Sequence, residues 1–572
     1  MTSIKTLSRV NVTITGARGP VGIEIDGPLS PGQFLVKSPG VNRRYQGASG
    51  TGADAGLRTD LAANSGSGLV GARAPGTGAV ATSIEDELFR RVYVDQYGAK
   101  GDYSPTTGTG TNDTPAFLKA IAALGGAGTI IIPRGFRCLI GTSLALPNSV
   151  KIEAESGRTF MAQDGLDAGS GDLYISSTAS ITLGSASGIV RCVVFRQGIQ
   201  FDITSAQVTS TFLGTAFILR NYTFDHTFED CVIGGFLNGI ASQSSTLGAS
   251  CDRTRIIGRL SMDCINCIRL YNAYDVPILD GLHCWPFITF KSPAEANGAQ
   301  FKRSGYAVWL HGVNDWSKIQ NAFNYGYKVG YRVTDARSVT LINCGSDYPF
   351  QSAPDASAGF IIEGAAAEAR LIGCQAAQRD SGIYIASTSP LLAVEIISPN
   401  IWECRVNCVA VAQGDVQIIG GSMSSAFAGC NGVETASGAG EVSVTGTDFR
   451  NLNIALANAN ANVSLTHRGC TFRNVSMVAS NPYVARAVAA TPMDIPKNAK
   501  GTVVVSGNAA ISLIGQNDCY AGQTLTLVFT GTPTILSGGS NLRNMGTDFV
   551  AAPDKQITFA STGTYWVEVS RK

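Results

Sequence analysis

The stretch Gly359-Phe360-Ile361-Ile362-Glu363 is answered 23 residues later by Gly382-Ile383-Tyr384-Ile385-Ala386, and this recurrence decides how the chain folds. In both, apolar residues alternate with a second set of side chains, the period-2 pattern of a β-strand. The pattern returns in Gly330-Tyr331-Arg332-Val333-Thr334, Cys267-Ile268-Arg269-Leu270-Tyr271, Ala307-Val308-Trp309-Leu310-His311 and Cys408-Val409-Ala410-Val411-Ala412. First residues of the repeats stand at 216, 239, 267, 307, 330, 359, 382, 408, 432 and 453, giving steps of 23, 28, 40, 23, 29, 23, 26, 24 and 21 residues. Strand-only units at such a period predict a β-solenoid. Equivalent residues in successive rungs then lie about 4.8 Å apart, the strand spacing of any sheet. The long step of 40 places an inserted loop at about 289–304.

Composition agrees with strands and turns. The chain has 572 residues with 66 glycines, and only 15% are charged. That length exceeds what one compact core supports, so a solenoid or several domains are expected. A net charge of +1 offers no electrostatic footprint for nucleic acid. No apolar run reaches the ~18 to 20 residues of a membrane span, so membrane insertion is not expected. Met1 to Arg18 lacks the basic-then-apolar layout of a secretion signal, which predicts synthesis and folding in a cytoplasm. Fourteen cysteines then read as small buried hydrophobes rather than disulfides. Cys344, Cys374 and Cys470 fall at or near one ladder position, and Cys267 and Cys408 share another. Cys264-x-x-Cys267 has no second ligand pair at zinc spacing, so neither metal nor cofactor is expected.

Outward from the ladder, residues 1–45 read as a small β-rich region with strand-like Val10-Asn11-Val12-Thr13-Ile14 and two collagen-like triplets from Gly16. Residues 46–91 read as a neck or linker with a short helix from Ser83, its N-cap, to Arg91. Residues 92–480 are expected to form the solenoid. A helix over 114–124, capped by Asp113 or Thr114 with Pro115 in its first turn, would lay Phe117, Ala120, Ile121 and Leu124 over its open end. Residues 485–572 break the repeat; Thr502-Val503-Val504-Val505, Thr524 to Phe529 and Gln556-Ile557-Thr558-Phe559 predict an antiparallel β-sandwich.

The order Asp95-Gln96-Tyr97-Gly98-Ala99-Lys100-Gly101-Asp102, Asn112-Asp113-Thr114, amphipathic helix, Gly128-Thr129-Ile130-Ile131-Ile132-Pro133-Arg134-Gly135 resembles the opening of the pectate-lyase-like β-helix superfamily. Leu57-Arg58-Thr59-Asp60-Leu61-Ala62-Ala63 with Gly68-Leu69-Val70-Gly71 resembles the neck of bacteriophage tailspikes. The ending from Asn541-Leu542-Arg543 to Arg571 resembles their C-terminal domains. This resemblance implies an all-β, right-handed parallel β-helix forming a homotrimer. Its N-terminal region would attach to the phage tail or baseplate, and its C-terminal domain would close the trimer or bind glycan. Such a protein is made in the bacterial host, carried on the virion, and binds or degrades a surface polysaccharide (capsule, O-antigen or exopolysaccharide). The family's catalytic residues share no common motif, so the chemistry has to come from the ladder.

Two outward columns carry chemistry. Where each rung leaves its last strand, Trp285, Tyr325, Tyr348 and Trp402 accompany Asp347 and Glu403. Aromatic faces complement the flat apolar faces of sugar rings. Asp347 and Glu403 fall two rungs apart, about 9.5 Å along the sheet. That suits an inverting glycosidase, whose acid and base stand about 6.5–9.5 Å apart. The outward positions of the marker strands hold Arg269, Tyr271, Trp309, His311, Arg332, Thr334, Glu363 and Tyr384, a candidate groove floor in which the arginines suit acidic sugars. Glu363 and Asp315 are further acid/base candidates. Hydrolysis is the leading expectation; elimination beside a uronate, with His311 or a tyrosine as base and Arg332 as carboxylate partner, is the alternative, and a binding-only spike is the third. His311-Gly312 echoes one motif of the polygalacturonase branch, but that branch's Asp-Asp pair and Arg-Ile-Lys motif are missing. His283 reads as structural.

Overall fold

Alternating side chains can bury one face only if every strand lies beside another rung of the same coil. In the computed structural model, strands from Arg91 to Ser480 join in one 37-stranded sheet. The structure describes residues 90–572 except 156–166, 244–250, 350–353, 390–391, 459–462, 481–484, 496–501, 516–522, 539–540, 544–545 and 563, together with the strands Gln33–Ser38, Val41–Gln46, Gly71–Arg73 and Ala81–Ser83. Within the solenoid each strand pairs in parallel with the strand one turn before and after it, so a turn holds three strands. We call them first, second and third; the sequence markers lie on the first.

Register follows the markers closely. Arg269 pairs with Trp309, Trp309 with Arg332, Arg332 with Ile361 and Ile361 with Tyr384. The residue two before each is Cys267, Ala307, Gly330, Gly359 and Gly382, a column of small residues. A Cβ added to Gly359 would stand 2.6 Å from the Gly382 carbonyl oxygen, and one added to Gly382 would stand 2.6 Å from Ile401. The cysteines at 267 and 408 are therefore the largest side chains this inward position admits. Every cysteine among the described residues is a free thiol, and all but Cys470 are buried. The last marker is displaced: Asn431 pairs with Ile454, so the true partner of position 432 is Ala455, not Asn453. The single strand Asp448–Asn458 there serves as both third and first strand, which shortens the usual corner.

Second strands carry the main apolar ladder, Leu279, Ile319, Leu341, Leu371, Ile396 and Ile418, all buried. Each such side chain contributes roughly 1.5–3 kcal/mol by leaving water. After each second strand one residue takes a left-handed conformation: Asn321, Asn343, Gly373, Ser398 and Gly420 have φ of 51, 51, 62, 50 and 67°. That one-residue corner turns the chain into the third strand, and only glycine and short polar residues adopt it cheaply. It explains the recurring Leu-Ile-Asn-Cys and Leu-Ile-Gly-Cys motifs.

The helix Thr114–Leu124 covers the first turn, with Phe117, Ala120 and Leu124 buried. Asp113 occupies its N-cap position without capping it; its carboxylate accepts the backbone N–H of Lys100 at 2.7 Å and of Gly101 at 3.2 Å, tying down the entry loop. At the far end, residues 485–571 build a six-stranded sheet and a two-stranded sheet around a separate apolar core. The expected antiparallel pattern is corrected here. Ala485–Val488 pairs in parallel with Thr502–Ser506, which pairs in parallel with Thr524–Phe529, and Leu542–Arg543 pairs in parallel with Trp566–Arg571; in the six-stranded sheet only the two pairings of Gln556–Ser561 are antiparallel.

Residues 1–90 form a separate unit whose described parts are two antiparallel pairs, Gln33–Ser38 with Val41–Gln46 and Gly71–Arg73 with Ala81–Ser83. The expected strand at 10–14, the collagen-like triplets, most of the neck motif and the body of the helix after Ser83 lie outside the described residues. Ser83 itself ends a strand, and Arg91 opens one rather than closing a helix.

Candidate functional site

On the first strands, inward Ile268, Leu270, Val308 and Leu310 leave the intervening side chains facing out. Two adjacent rows result: Arg269, Trp309, Arg332, Ile361, Tyr384, and Tyr271, His311, Thr334, Glu363, Ala386. They form one connected chain. Arg332 Nε donates to Glu363 Oε1 at 2.6 Å, Thr334 Oγ1 donates to the same oxygen at 3.0 Å, and Trp309 Nε1 donates to Thr334 Oγ1 at 3.0 Å. The Arg332 guanidinium stands over the Trp309 ring at 4.9 Å, and His311 stacks on that ring at 4.7 Å with 9° between planes. Tyr271 and Tyr306 meet His311 and Trp309 edge-on. Burial pushes the His311 imidazole below its ordinary pKa, and Arg269 and Arg332 act in the same direction. Arg269 Nε is buried and has no hydrogen-bond partner among the described residues. Tyr384 ends the row.

The third-strand edge is built differently. Tyr325 pairs with Asp347 and Ala377 with Trp402, so Tyr325, Asp347, Ala377 and Trp402 follow one row. Asp347 and Glu403 are thus two rungs apart, with Glu403 one residue past the row. Ala377 holds this row in the middle rung and is itself buried, 2% exposed. Asp347 is half-buried; burial pushes its carboxyl above the usual range, against the pull of the Tyr348 N–H (2.7 Å from Oδ1) and of Arg379. Burial, and then Asp347, push the Tyr325 phenol up to about 12. Glu403 has φ 55°, a left-handed conformation that glutamate adopts only at a cost of about 1 kcal/mol. Trp402 is half-buried beside it.

Two expected aromatic walls are not open faces. Trp285 is 3% exposed, packed against Phe287, Phe290 and the stacked ring of His283. Tyr348 is 2% exposed; its hydroxyl donates to Asp355 at 2.9 Å, and its ring lies beside Lys302 and Arg379. The inserted loop covers both, held by Arg303, whose guanidinium donates to Asp263 at 2.7 and 3.0 Å with both side chains fully buried. His283 is pressed between Trp285 and Phe323, and burial lowers it to about 4. Asp315 belongs to neither row; it lies at the corner between first and second strands.

Sequence reading missed Arg379. Fully buried beneath Asp347, it donates to the carbonyls of Tyr327 (2.7 Å), Ala358 (3.0 Å) and Asp347 (3.0 Å) and to Asn324 Oδ1 (3.1 Å). Burial lowers its pKa to about 10. It clamps the backbone that presents Asp347, and its only sequence signal is a charged pair, Arg379-Asp380, inside an apolar repeat. Among the described residues no group of three or more His, Cys, Asp or Glu side chains is arranged to hold a metal ion, and no helix is long and apolar enough to cross a membrane.

No family model and no curated protein matches the chain. Solved structures similar to it include phage tailspikes. The tailspike protein of E. coli bacteriophage HK620, in complex with a pentasaccharide, is 11% identical with a TM-score of 0.44, over 84% of this chain and 86% of that one. Tailspike protein 3 of bacteriophage CBA120 is 11% identical with a TM-score of 0.32, over 76% and 70%. At such identity and TM-score the likeness carries no role over to this chain, whose parallel β-solenoid is read from its own strand pairing.

Proposed function

We propose that this chain is a bacteriophage tailspike, a homotrimer attached to the virion tail by its N-terminal region. It binds a bacterial surface polysaccharide and hydrolyses its glycosidic bonds. The observation that carries the reading is the third-strand edge, where a carboxyl made more basic by burial stands two rungs from a second carboxylate across the alanine rung. A carboxyl raised by burial holds its proton to higher pH than an exposed one and can pass it to a leaving glycosidic oxygen. Glu403 is then the base that activates water. The two-rung step, about 9.5 Å, falls at the wide end of the inverting range. Trp402 and Tyr325 offer apolar surface to the sugars on either side. The first-strand strip, with the rings of Trp309 and Tyr384, extends the binding surface.

Product analysis tests this directly. Mass spectrometry of a cleaved capsule or O-antigen should show fragments heavier by one water per bond broken and no ultraviolet-absorbing unsaturated ends. Asp347→Asn and Glu403→Gln should each lower cleavage by about 10²–10⁴-fold, the usual contribution of a positioned acid or base. Full activity in both variants overturns the site. One observation favours a second reading: His311, whose pKa burial lowers in a strip that also carries Arg269 and Arg332, is suited to take a proton beside a uronate carboxylate, and unsaturated products would move the chemistry to that strip.

A further inference from the structure

A cavity of about 330 Å³ opens at the corner between first and second strands, away from both rows described above. Asp315, Trp316, Arg337, Ala365, Ala366 and Glu368 line it. Ladder pairing of Lys318 with Thr340 and of Val339 with Ala369 puts Trp316, Ser338 and Glu368 on one row in three successive rungs. An indole and a carboxylate thus face each other across a serine, about 9.5 Å apart along the sheet. Ala365 and Ala366 keep the neighbouring wall low.

Three features mark this corner as more than a turn. Trp316 is 62% exposed and has φ 53°, a conformation that a bulky residue rarely adopts. The corner therefore carries strain, and its largest apolar surface faces water. Neither the Arg337 guanidinium nor the Asp315 carboxylate has a hydrogen-bond partner or ion pair among the described residues, although both line the same cavity. Glu368, by contrast, is fixed, accepting Ser389 Oγ at 3.0 Å. An exposed ring flanked by unpaired donors and acceptors is the composition of a saccharide subsite: CH groups of a pyranose lie on the ring while its hydroxyls bond to carboxylate and guanidinium.

We propose that this corner is a second saccharide-binding subsite, which holds the polymer at Trp316 at a distance from the cleavage edge. The inference rests on the polysaccharide reading above but not on cleavage. A second attachment point raises the effective concentration of chain at the first, so its loss weakens retention of long polymers by 10-fold or more.

The test is retention of the full-length protein on immobilised, purified bacterial capsule and O-antigen polysaccharides. Trp316→Ala and Arg337→Ala are compared with the unaltered chain, and thermal unfolding confirms that each variant is folded. At least 10-fold weaker retention by Trp316→Ala, with unfolding unchanged, is the expected result. Retention equal to the unaltered chain in both variants overturns this subsite alone. If the unaltered chain is retained but cuts nothing while Trp316→Ala is weakened, the depolymerase reading fails and the subsite stands. If no polysaccharide retains the unaltered chain, both fall.

Discussion

The first-strand strip and the third-strand edge are equivalent faces of the same coil, yet they treat polar side chains in opposite ways. On the strip, Arg332 and Glu363 pair while 35% and 24% exposed, and their bonds run sideways from rung to rung. On the edge, Arg303 and Asp263 pair with no exposure at all, and Arg379 spends its donors on backbone carbonyls. The strip is a surface with fixed side chains; around Arg303 and Arg379 the edge is a core that happens to carry charge, and its rim at Asp347 and Trp402 is half-buried. What separates them is coverage. The inserted loop and the cluster of Tyr174, Phe195, Phe212 and Trp285 lie over the third strands, while most of the outward first-strand rows stay half-exposed. The same ladder therefore yields a half-wet platform on one side and a dry wall on the other. A carboxyl at the rim of that wall, Asp347, inherits a raised pKa.

The contrast breaks most visibly at Arg303. Arg303→Leu leaves the Asp263 carboxylate buried without its partner, which should cost about 3–5 kcal/mol in denaturant unfolding. Replacing both, Arg303→Leu with Asp263→Leu, should recover much of that loss, because two apolar groups need no partner. A single variant as stable as the parent would mean that the edge is open to water.

Acid offers the next largest effect, again through the buried side. His226 is fully buried between Thr223 and Thr254, and burial lowers it to about 4, as it does His283. Both imidazoles resist protonation when folded, whereas the unfolded chain takes up protons from pH 6.5 downward. Stability is then complete above about pH 6.5 and falls as pH drops toward about 4, by up to roughly 3 kcal/mol per histidine. Unfolding measured at several pH values should show this slope, and His226→Gln should flatten it. A slope that rises toward acid contradicts the assignment.

How much of this is legible before the structure depends on whether the partners lie within one repeat. Alternation and spacing placed the first strands in register from Ala216 to Gly432, because a one-residue slip would have exposed the apolar set. Where two apolar residues adjoin, that protection lapses. In Ile278-Leu279 either residue could face inward by sequence; the buried one is Leu279, and Ile278 pairs with Lys318. The small inward column and the left-handed corners were visible as Cys, Gly and Asn at fixed offsets. Coverage was not. Trp285 and Tyr348 look like open aromatic walls until the loop packs on them, and the Arg303–Asp263 pair joins residues 40 positions apart with no periodic cue. The grip of Arg379 on backbone up to 52 residues away leaves no trace in any local pattern.

The smallest expected effect tests the strip itself. Glu363→Gln keeps an oxygen that can accept from Thr334 and loses only the charge facing Arg332. An ion pair this exposed is worth about 1 kcal/mol or less, and salt screens it. Unfolding should therefore shift by no more than that, and less still in high salt, while Trp309 keeps its bond to Thr334. If the strip serves binding, the same variant releases the Arg332 guanidinium from its internal partner and should change retention of acidic polysaccharides more than that of neutral ones. A stability loss of several kcal/mol would place Glu363 in the same category as Asp263. The two faces would then differ in degree of burial and not in kind, and the strip would lose its standing as a surface open to sugar.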